Sequence, residues 1–330
     1  SESALYEIEI EVRDIISALP EETSPPDVVV VLGSVLDAAL INETLRRCAI
    51  ETIYHAAAYK HVPIVEHNAA VGLTNNVVGT EIVADAAMAC GVERMVLIST
   101  DKAVRPTNVM GASKRLAELV LQARVSPSVS TVFTMVRFGN VLDSSGSVVR
   151  RFRQQITHGG PVTVTHPEVI RYFMSIPEAA ELVIQAGAMA KGGDVFVLDM
   201  GEPVKINDLA ELMIRLSGLE LRNDAHPEGD VEIVYTGLRP GEKLYEELLI
   251  GVHTSGTEHP RILRSDEPGL ALADLKRELD VLRAAMTMRD VETIQAVLMR
   301  TVEGYQPDAD TRAAGNVSAA AWVAPSRTLH

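Results

Sequence analysis

An aspartate and a lysine stand side by side at positions 101 and 102, inside the stretch STDKAVRPTNVMGASKR that runs from Ser99 to Arg115. An adjacent acid and amine shift each other's pKa: the ion pair favours the charged forms and desolvation the neutral ones. Such a pair can take up one proton and release another, and the neighbouring Thr100 hydroxyl can act as a relay. A second lysine, Lys114, follows on a helical pattern, with Met110 one turn before it on the same face. A thioether accepts no proton, so Met110 reads as a packing residue that fills irregular space. The plain alternatives are an Asp–Lys turn that caps the next segment and a solvated Lys114 paired with Glu118 at i+4.

Metal chemistry is not indicated. Of nine histidines, His55, His61, His67 and His166 lie in or near polar motifs, but no H-x-x-H or H-E-x-x-H spacing occurs. The two cysteines, Cys48 and Cys90, are far apart, which argues against a disulfide framework and fits a reducing compartment.

The elements that must position these groups follow from the hydrophobic pattern. Residues 28–33 (VVVVLG) read as a short buried strand, 36–48 as an amphipathic helix, and TIYHAAAYKHV as a strand ending near His55. An Ala-, Val- and Met-rich helix spans 70–90 and stops at Gly91; RMVLIST is the next strand, 109–124 a helix and STVFTMVRFGN another strand. Continuous rather than alternating apolar strands, interleaved with helices, predict a parallel sheet covered on both faces, a doubly wound α/β fold. Asp101 and Lys102 then sit at the carboxyl end of a sheet strand, where open parallel sheets place their sites. Further on come helices at 147–159, 177–190, 206–217, 271–286 and 289–304, with short strands at 160–176, 194–200 and 231–236. The expected organisation is a sheet domain over 1–150, a smaller mixed α/β domain over 151–306 and a disordered tail over 307–330.

The 330 residues are 47% hydrophobic, with a mean hydropathy of +0.12, so a sizeable core can form. A net charge of -15 argues against nucleic acid or an anionic membrane as the main partner. No apolar run approaches the ~18 residues that span a bilayer, and the chain as given reads as cytoplasmic.

One expected signal is missing. A dinucleotide-binding unit opens with a strand, a glycine-rich turn and a helix whose N-terminus takes the pyrophosphate. Neither G-x-x-G-x-x-G nor G-x-G-x-x-G precedes the 28–33 run, and the chain starts directly on the helical pattern SESALYEIEIEVRDI.

Taken in order, HAAAYKHVPIVEHN, TNNVVGT, LISTDKAVRPTNVMGASK, RFGNVLDSSGSV, VTVTHPEVIRYFMSIPEA and LRPGEKLYEELL resemble the polysaccharide-biosynthesis UDP-N-acetylglucosamine 4,6-dehydratases. These are extended short-chain dehydrogenase/reductase (SDR) enzymes of Rossmann-like fold. Methionine in place of the usual tyrosine points to the large, membrane-anchored members. The resemblance implies NAD as cofactor, UDP-N-acetylglucosamine as substrate and a homo-oligomer paired through the helices near 70–90 and 109–124. It also implies that the first β-α-β unit and a membrane anchor lie upstream of Ser1, with the parent protein at the cytoplasmic face of a bacterial inner membrane.

The resemblance also assigns roles. Removing water across C5 and C6 of a sugar becomes feasible once C4 is a ketone, because the C5 proton is then α to a carbonyl. Asp101 would be the general acid at C6 and Lys102 the base at C5. With Met110 unable to act, Thr100 would pass the C4 proton to Asp101. Lys114 would bond the nicotinamide ribose, Ala56, Ala57, Ala58 and Ser99 would line the cofactor, and Asn76, also on the cofactor side, would orient the catalytic turn. Ser34 stands where the family usually carries an Asp toward adenine. Lys60, Asn140, Thr165, Arg171, Lys205, Arg239 and Glu242 would bind the nucleotide sugar, since guanidinium forks suit diphosphate oxygens. Two other readings are a UDP-sugar epimerase on the same scaffold and a UDP-sugar-binding fragment without turnover.

Overall fold

The computed structural model describes residues 1–20, 23–239, 241–246 and 254–307; the tail expected from 307 lies outside them but for its first residue. The chain opens with α1 (Glu2–Ser17) and α2 (Ala38–Arg47), then β1 (Thr52–His55), α3 (Val62–His67) and α4 (Ala69–Leu73). A π-helical turn, Thr74–Val78, joins α4 to α5 (Gly79–Cys90), which ends at Gly91 in the left-handed conformation (φ 71°). β2 (Arg94–Ile98), the 3-10 turn Asp101–Ala103, α6 (Val109–Gln122), β3 (Val132–Arg137) and β4 (Asn140–Val141) follow. The second half holds α7 (Val148–Thr157), β5 (Val162–Val164), β6 (Ile170–Arg171), β7 (Phe173–Met174), α8 (Ile176–Met189) and β8 (Asp194–Leu198). Last come β9 (Val204–Lys205), α9 (Ile206–Leu216), β10 (Leu221–Arg222), β11 (Val231–Tyr235), β12 (Thr254–Gly256), β13 (Ile262–Ser265), α10 (Leu272–Met288) and α11 (Val291–Thr301).

The main sheet has the order β1-β2-β3-β8-β13-β12. The first four strands are parallel, and β13 and β12 add antiparallel to the far side. Because side chains alternate along a strand, Met95, Leu97, Phe133 and Met135 face α5 and α6, while Val96, Val136, Phe196 and Leu198 face α8. Both faces are therefore dry, as the continuous apolar strands required. This is the doubly wound, Rossmann-like α/β sheet expected from the sequence. A third cluster packs α4 and α6 against α10 and α11, and a fourth joins α7, α9, β5 and β11 beside the sheet.

Two expectations are corrected, and one element is new. The run 28–33 forms no strand: it lies outside the sheet, with Val29 54% and Leu32 61% exposed. Composition makes a strand only where a neighbour takes up its N–H and C=O groups, and none among the described residues pairs with it. The antiparallel pair β12–β13 was not anticipated, because its segments carry no apolar alternation. Finally, α6 does not offer a free face for pairing copies: its residues are buried from Val109 to Leu121, with α10 and α11 of the same chain packed over it. No helix among the described residues is long and apolar enough to cross a membrane.

Candidate active site at the carboxyl ends of the strands

A cleft of about 490 Å3 opens where β2 and β3 end. Its wall includes Ala56, Ala58 and Lys60 after β1, Ser99, Thr100 and Lys102 after β2, and Met110 and Lys114 from α6. Across the cleft stand Asn140, Thr165, Arg171, Arg239 and Glu242. Residues expected from distant motifs therefore converge on one cavity.

The turn after β2 is held from several sides. The Thr100 hydroxyl accepts from the Lys102 backbone N–H (3.3 Å) and donates to Asp101 Oδ1 (2.9 Å). Lys102 Nζ donates to the same Oδ1 at 3.0 Å and meets Glu246 Oε1 at 3.1 Å. The second Asp101 oxygen, Oδ2, is buried without a hydrogen-bond partner, next to Gly139, where an added Cβ would stand 3.2 Å from it. A buried carboxylate oxygen left unsatisfied is costly, and this one lies behind the cleft wall that Thr100, Lys102 and Gly139 form. Burial opposes the charge on Lys102, but the Asp101 and Glu246 carboxylates outweigh it and raise its pKa above the ordinary lysine value. Lys102 thus stands as an ammonium.

The first turn of α6 presses on this turn. At Gly111 any side chain would collide with the Lys102 carbonyl, so glycine permits the contact. Asn108 caps the helix by accepting from Gly111 N–H (2.8 Å), and its amide donates to the Gly241 carbonyl (3.1 Å). The 241–246 segment, which carries Glu242 and Glu246, is thereby tied to the helix that carries Met110 and Lys114.

Lys114 is not the solvated helix lysine of the plain alternative. It is 6% exposed and donates to the Ile98 carbonyl at 2.6 Å. Burial lowers its pKa to about 8, against a smaller raising effect of the Glu118 carboxylate. Glu118 itself is fully buried and spent on other donors: Ser99 Oγ (2.6 Å), Arg137 Nε (2.8 Å) and Arg115 (3.0 Å). His55, at the end of β1, is also buried, 3.0 Å from the Thr80 hydroxyl; burial and then the Lys114 charge lower its pKa to about 4, so it is neutral. Met110 is 4% exposed and forms wall.

On the opposite side Arg171 meets Glu242 Oε1 at 3.0 Å and Glu246 Oε1 at 3.4 Å, and Thr165 donates to Glu242 Oε1 at 3.1 Å. The Arg239 backbone N–H donates to Glu242 Oε2 at 3.2 Å. Asn140 Nδ2 is buried with no partner. Lys60 has its pKa lowered, by partial burial first and then by the charge of Arg150.

Five expected residues are not brought into the cleft wall. Asp101 lies just behind it, bonded to Thr100 and Lys102, which do line it. Ser34 is exposed in the turn before α2, where it accepts from Leu36 N–H. Ala57 points outward although its neighbours line the cavity. Lys205 lies on the outside, its pKa raised by a hydrogen bond and ion pair with Glu168. Asn76 sits behind the wall: it accepts from Tyr59 N–H (2.8 Å) and donates to the Tyr59 carbonyl (3.0 Å) and to Ser113 Oγ (2.9 Å). It fixes the loop after β1 rather than the 100–102 turn, and it does so from the π-helical turn, a local irregularity common at functional sites. Sequence reading missed Glu246, whose only signal was its place in LRPGEKLYEELL, and the buried Glu118–Arg137 pair, which has no local signature. Among the described residues no cluster of three or more metal-type ligands occurs.

The profile of a family described as polysaccharide biosynthesis protein matches residues 1–267. The capsular polysaccharide biosynthesis protein CapD of Staphylococcus aureus is 55% identical over 219 residues, which are 66% of this chain and 35% of that protein. The chain thus spans about a third of the length of this relative. The crystal structure of Pen from Bacillus thuringiensis superposes with a TM-score of 0.68 at 30% identity, covering 84% of this chain and 87% of that one. The UDP-glucose 4-epimerase of Thermus thermophilus, solved in complex with NAD, has a TM-score of 0.59 at 19% identity over 71% and 80% of the two chains, a likeness of fold.

Proposed function

The chain belongs to the polysaccharide biosynthesis protein family, and on that premise we propose that it is an NAD-dependent nucleotide-sugar enzyme of the SDR type. Its proposed reaction is the 4,6-dehydration of UDP-N-acetylglucosamine. The observation that carries this reading is the Asp101–Lys102 pair: Thr100 and Lys102 line a cleft in which Met110 occupies the place of a phenol, and Asp101 is bonded to both just behind that wall. Epimerisation at C4 needs a base near Lys114 but no acid for C6; this site offers the reverse.

The cofactor end fits. The Lys114 amine, Ser99 and the small Ala56 and Ala58 form one wall, which suits a nicotinamide ribose, whereas Ser34 lies away from it. NAD, when bound, supplies the redox chemistry by accepting hydride from C4 and returning it to C6. The chain's own groups handle the protons. Thr100 passes the C4 hydroxyl proton along its 2.9 Å bond to Asp101. Once Asp101 is neutral, Lys102 loses one of the two carboxylates that hold its charge, and its pKa falls. Its side chain, 22% exposed, sheds a proton to solvent and becomes the base for C5. Asp101 then returns its proton to the departing C6 hydroxyl, Lys102 protonates C5, and the neutral amine left behind regains its proton from solvent beside the restored Asp101 carboxylate. Arg171 and Arg239 meet the diphosphate, with Glu242 ordering Arg171 and Thr165.

The test is incubation of the protein with NAD and UDP-N-acetylglucosamine in deuterated water, followed by mass spectrometry and NMR of the sugar. The expected product is a 4-keto-6-deoxy sugar carrying one deuterium at C5. A C4 epimer with its C6 hydroxyl intact would establish the epimerase reading instead.

A further inference from the structure

Glu246 has none of the roles assigned so far, yet it is 8% exposed and faces two cations. The same oxygen, Oε1, lies 3.1 Å from Lys102 Nζ and 3.4 Å from Arg171 Nε. Lys102 belongs to the turn after β2, Arg171 to β6, and Glu246 to the segment tied to α6 through Gly241. One carboxylate therefore bridges the proposed C5 base and the proposed diphosphate grip.

We propose that Glu246 is a positioning residue that holds Lys102 against Asp101 and couples the charge state of Lys102 to the occupancy of Arg171. The proposal rests on the roles proposed for Lys102 and Arg171. An anion on Arg171 competes with Glu246 for the guanidinium, and the carboxylate then serves Lys102 alone. The charged groups around Lys102 are Asp101 in its own turn, Glu246, Arg171 with Glu242 behind it, and Lys114 on the same wall of the cleft. Lys243 approaches from the 241–246 segment but donates to the Val104 and Arg105 carbonyls. Glu246 is thus the charge whose removal most directly releases Lys102 without touching Asp101, which agrees with the raised pKa of Lys102.

The experiment needs no turnover. Lysine acetylation with acetic anhydride, followed by peptide mass spectrometry across a pH series, reads the titration of Lys102 directly. Glu246→Gln keeps the shape and removes the charge, so the labelling curve moves to lower pH, with about a tenfold gain in labelling per pKa unit. Arg171→Met leaves Glu246 to Lys102 alone and moves the curve to higher pH. The double variant lacks that upward movement, the non-additivity that marks coupled groups. In turnover, Glu246→Gln moves the acid limb of the pH–rate profile downward without raising KM, and Glu246→Asp restores the wild-type limb in part. A Lys102 labelling curve unchanged in Glu246→Gln, or an additive double variant, overturns the proposal. If labelling shifts as stated but no UDP-sugar is converted, the proposed reaction fails and the role of Glu246 stands.

Discussion

Replacing Glu118 by glutamine tests whether the floor beneath the site is held by buried charge. Glu118 is 0% exposed and accepts from Ser99, from two nitrogens of Arg137 and from Arg115. Arg137 is 1% exposed and continues to Glu267 at 2.6 Å, so two acids and two arginines balance inside the fold. Burial alone would raise the Glu118 pKa, but Arg137 and then Arg115 and Ser99 overcome it and lower it from 4.5 to about 2. That depression corresponds to about 3 kcal/mol of stability at neutral pH. It agrees with the cost of about 3–5 kcal/mol typical of removing one partner from a buried pair. A glutamine also turns an NH2 group toward guanidinium donors. The expected cost of Glu118→Gln, measured by urea unfolding at neutral pH, is therefore about 3 kcal/mol. Because the folded pKa lies below the unfolded one, this contribution is complete above about pH 5. It is lost as pH falls toward about 2, the folded value. The gap between wild type and variant should narrow over that window. A cost below about 1 kcal/mol, or a gap that does not change with pH, would refute the view that this network acts through charge.

Three further outcomes are expected. Asp101→Asn should lower kcat by about 10²–10⁴-fold while UDP affinity, measured by calorimetry, changes little, because Asp101 is bonded to Thr100 and Lys102, whereas Arg171 and Glu242 pair on the other side of the cleft. If the Lys114 ammonium holds the cofactor, activity should fall as pH rises through about 8, its lowered pKa, and Lys114→Arg should move that limb to higher pH; an unmoved limb would exclude Lys114 as its source. Asn76→Ala releases the Tyr59 N–H and carbonyl, and should cost about 2 kcal/mol in thermal or urea unfolding, with a raised KM for NAD as the loop after β1 loosens.

Much of this could be read before any coordinates. The helix 109–122 and strands β2, β3 and β8 fell within a few residues of their expected ranges, because buried apolar runs and a left-handed glycine at 91 are local signals. The run 28–33 failed for the complementary reason. Its β-branched residues satisfy every local rule, but a strand exists only by pairing, and pairing is not local. Ser34 and Lys205 show the same limit: position along the chain suggested the site, yet Ser34 is exposed in a turn and Lys205 is held outside by Glu168.

The sequence by itself determined the parallel α/β core, the place of Asp101 and Lys102 at a strand end, and the impossibility of proton transfer by Met110. These depend on residue type and on spacing along the chain. Only the tertiary structure decided which charges face one another. It set Glu246 between Lys102 and Arg171, buried Lys114 against the Ile98 carbonyl, and sank Glu118 beneath Ser99 beside Arg137. Desolvation and Coulomb energy depend on distance through space, so the protonation states that would run the chemistry are properties of the fold and not of any single motif.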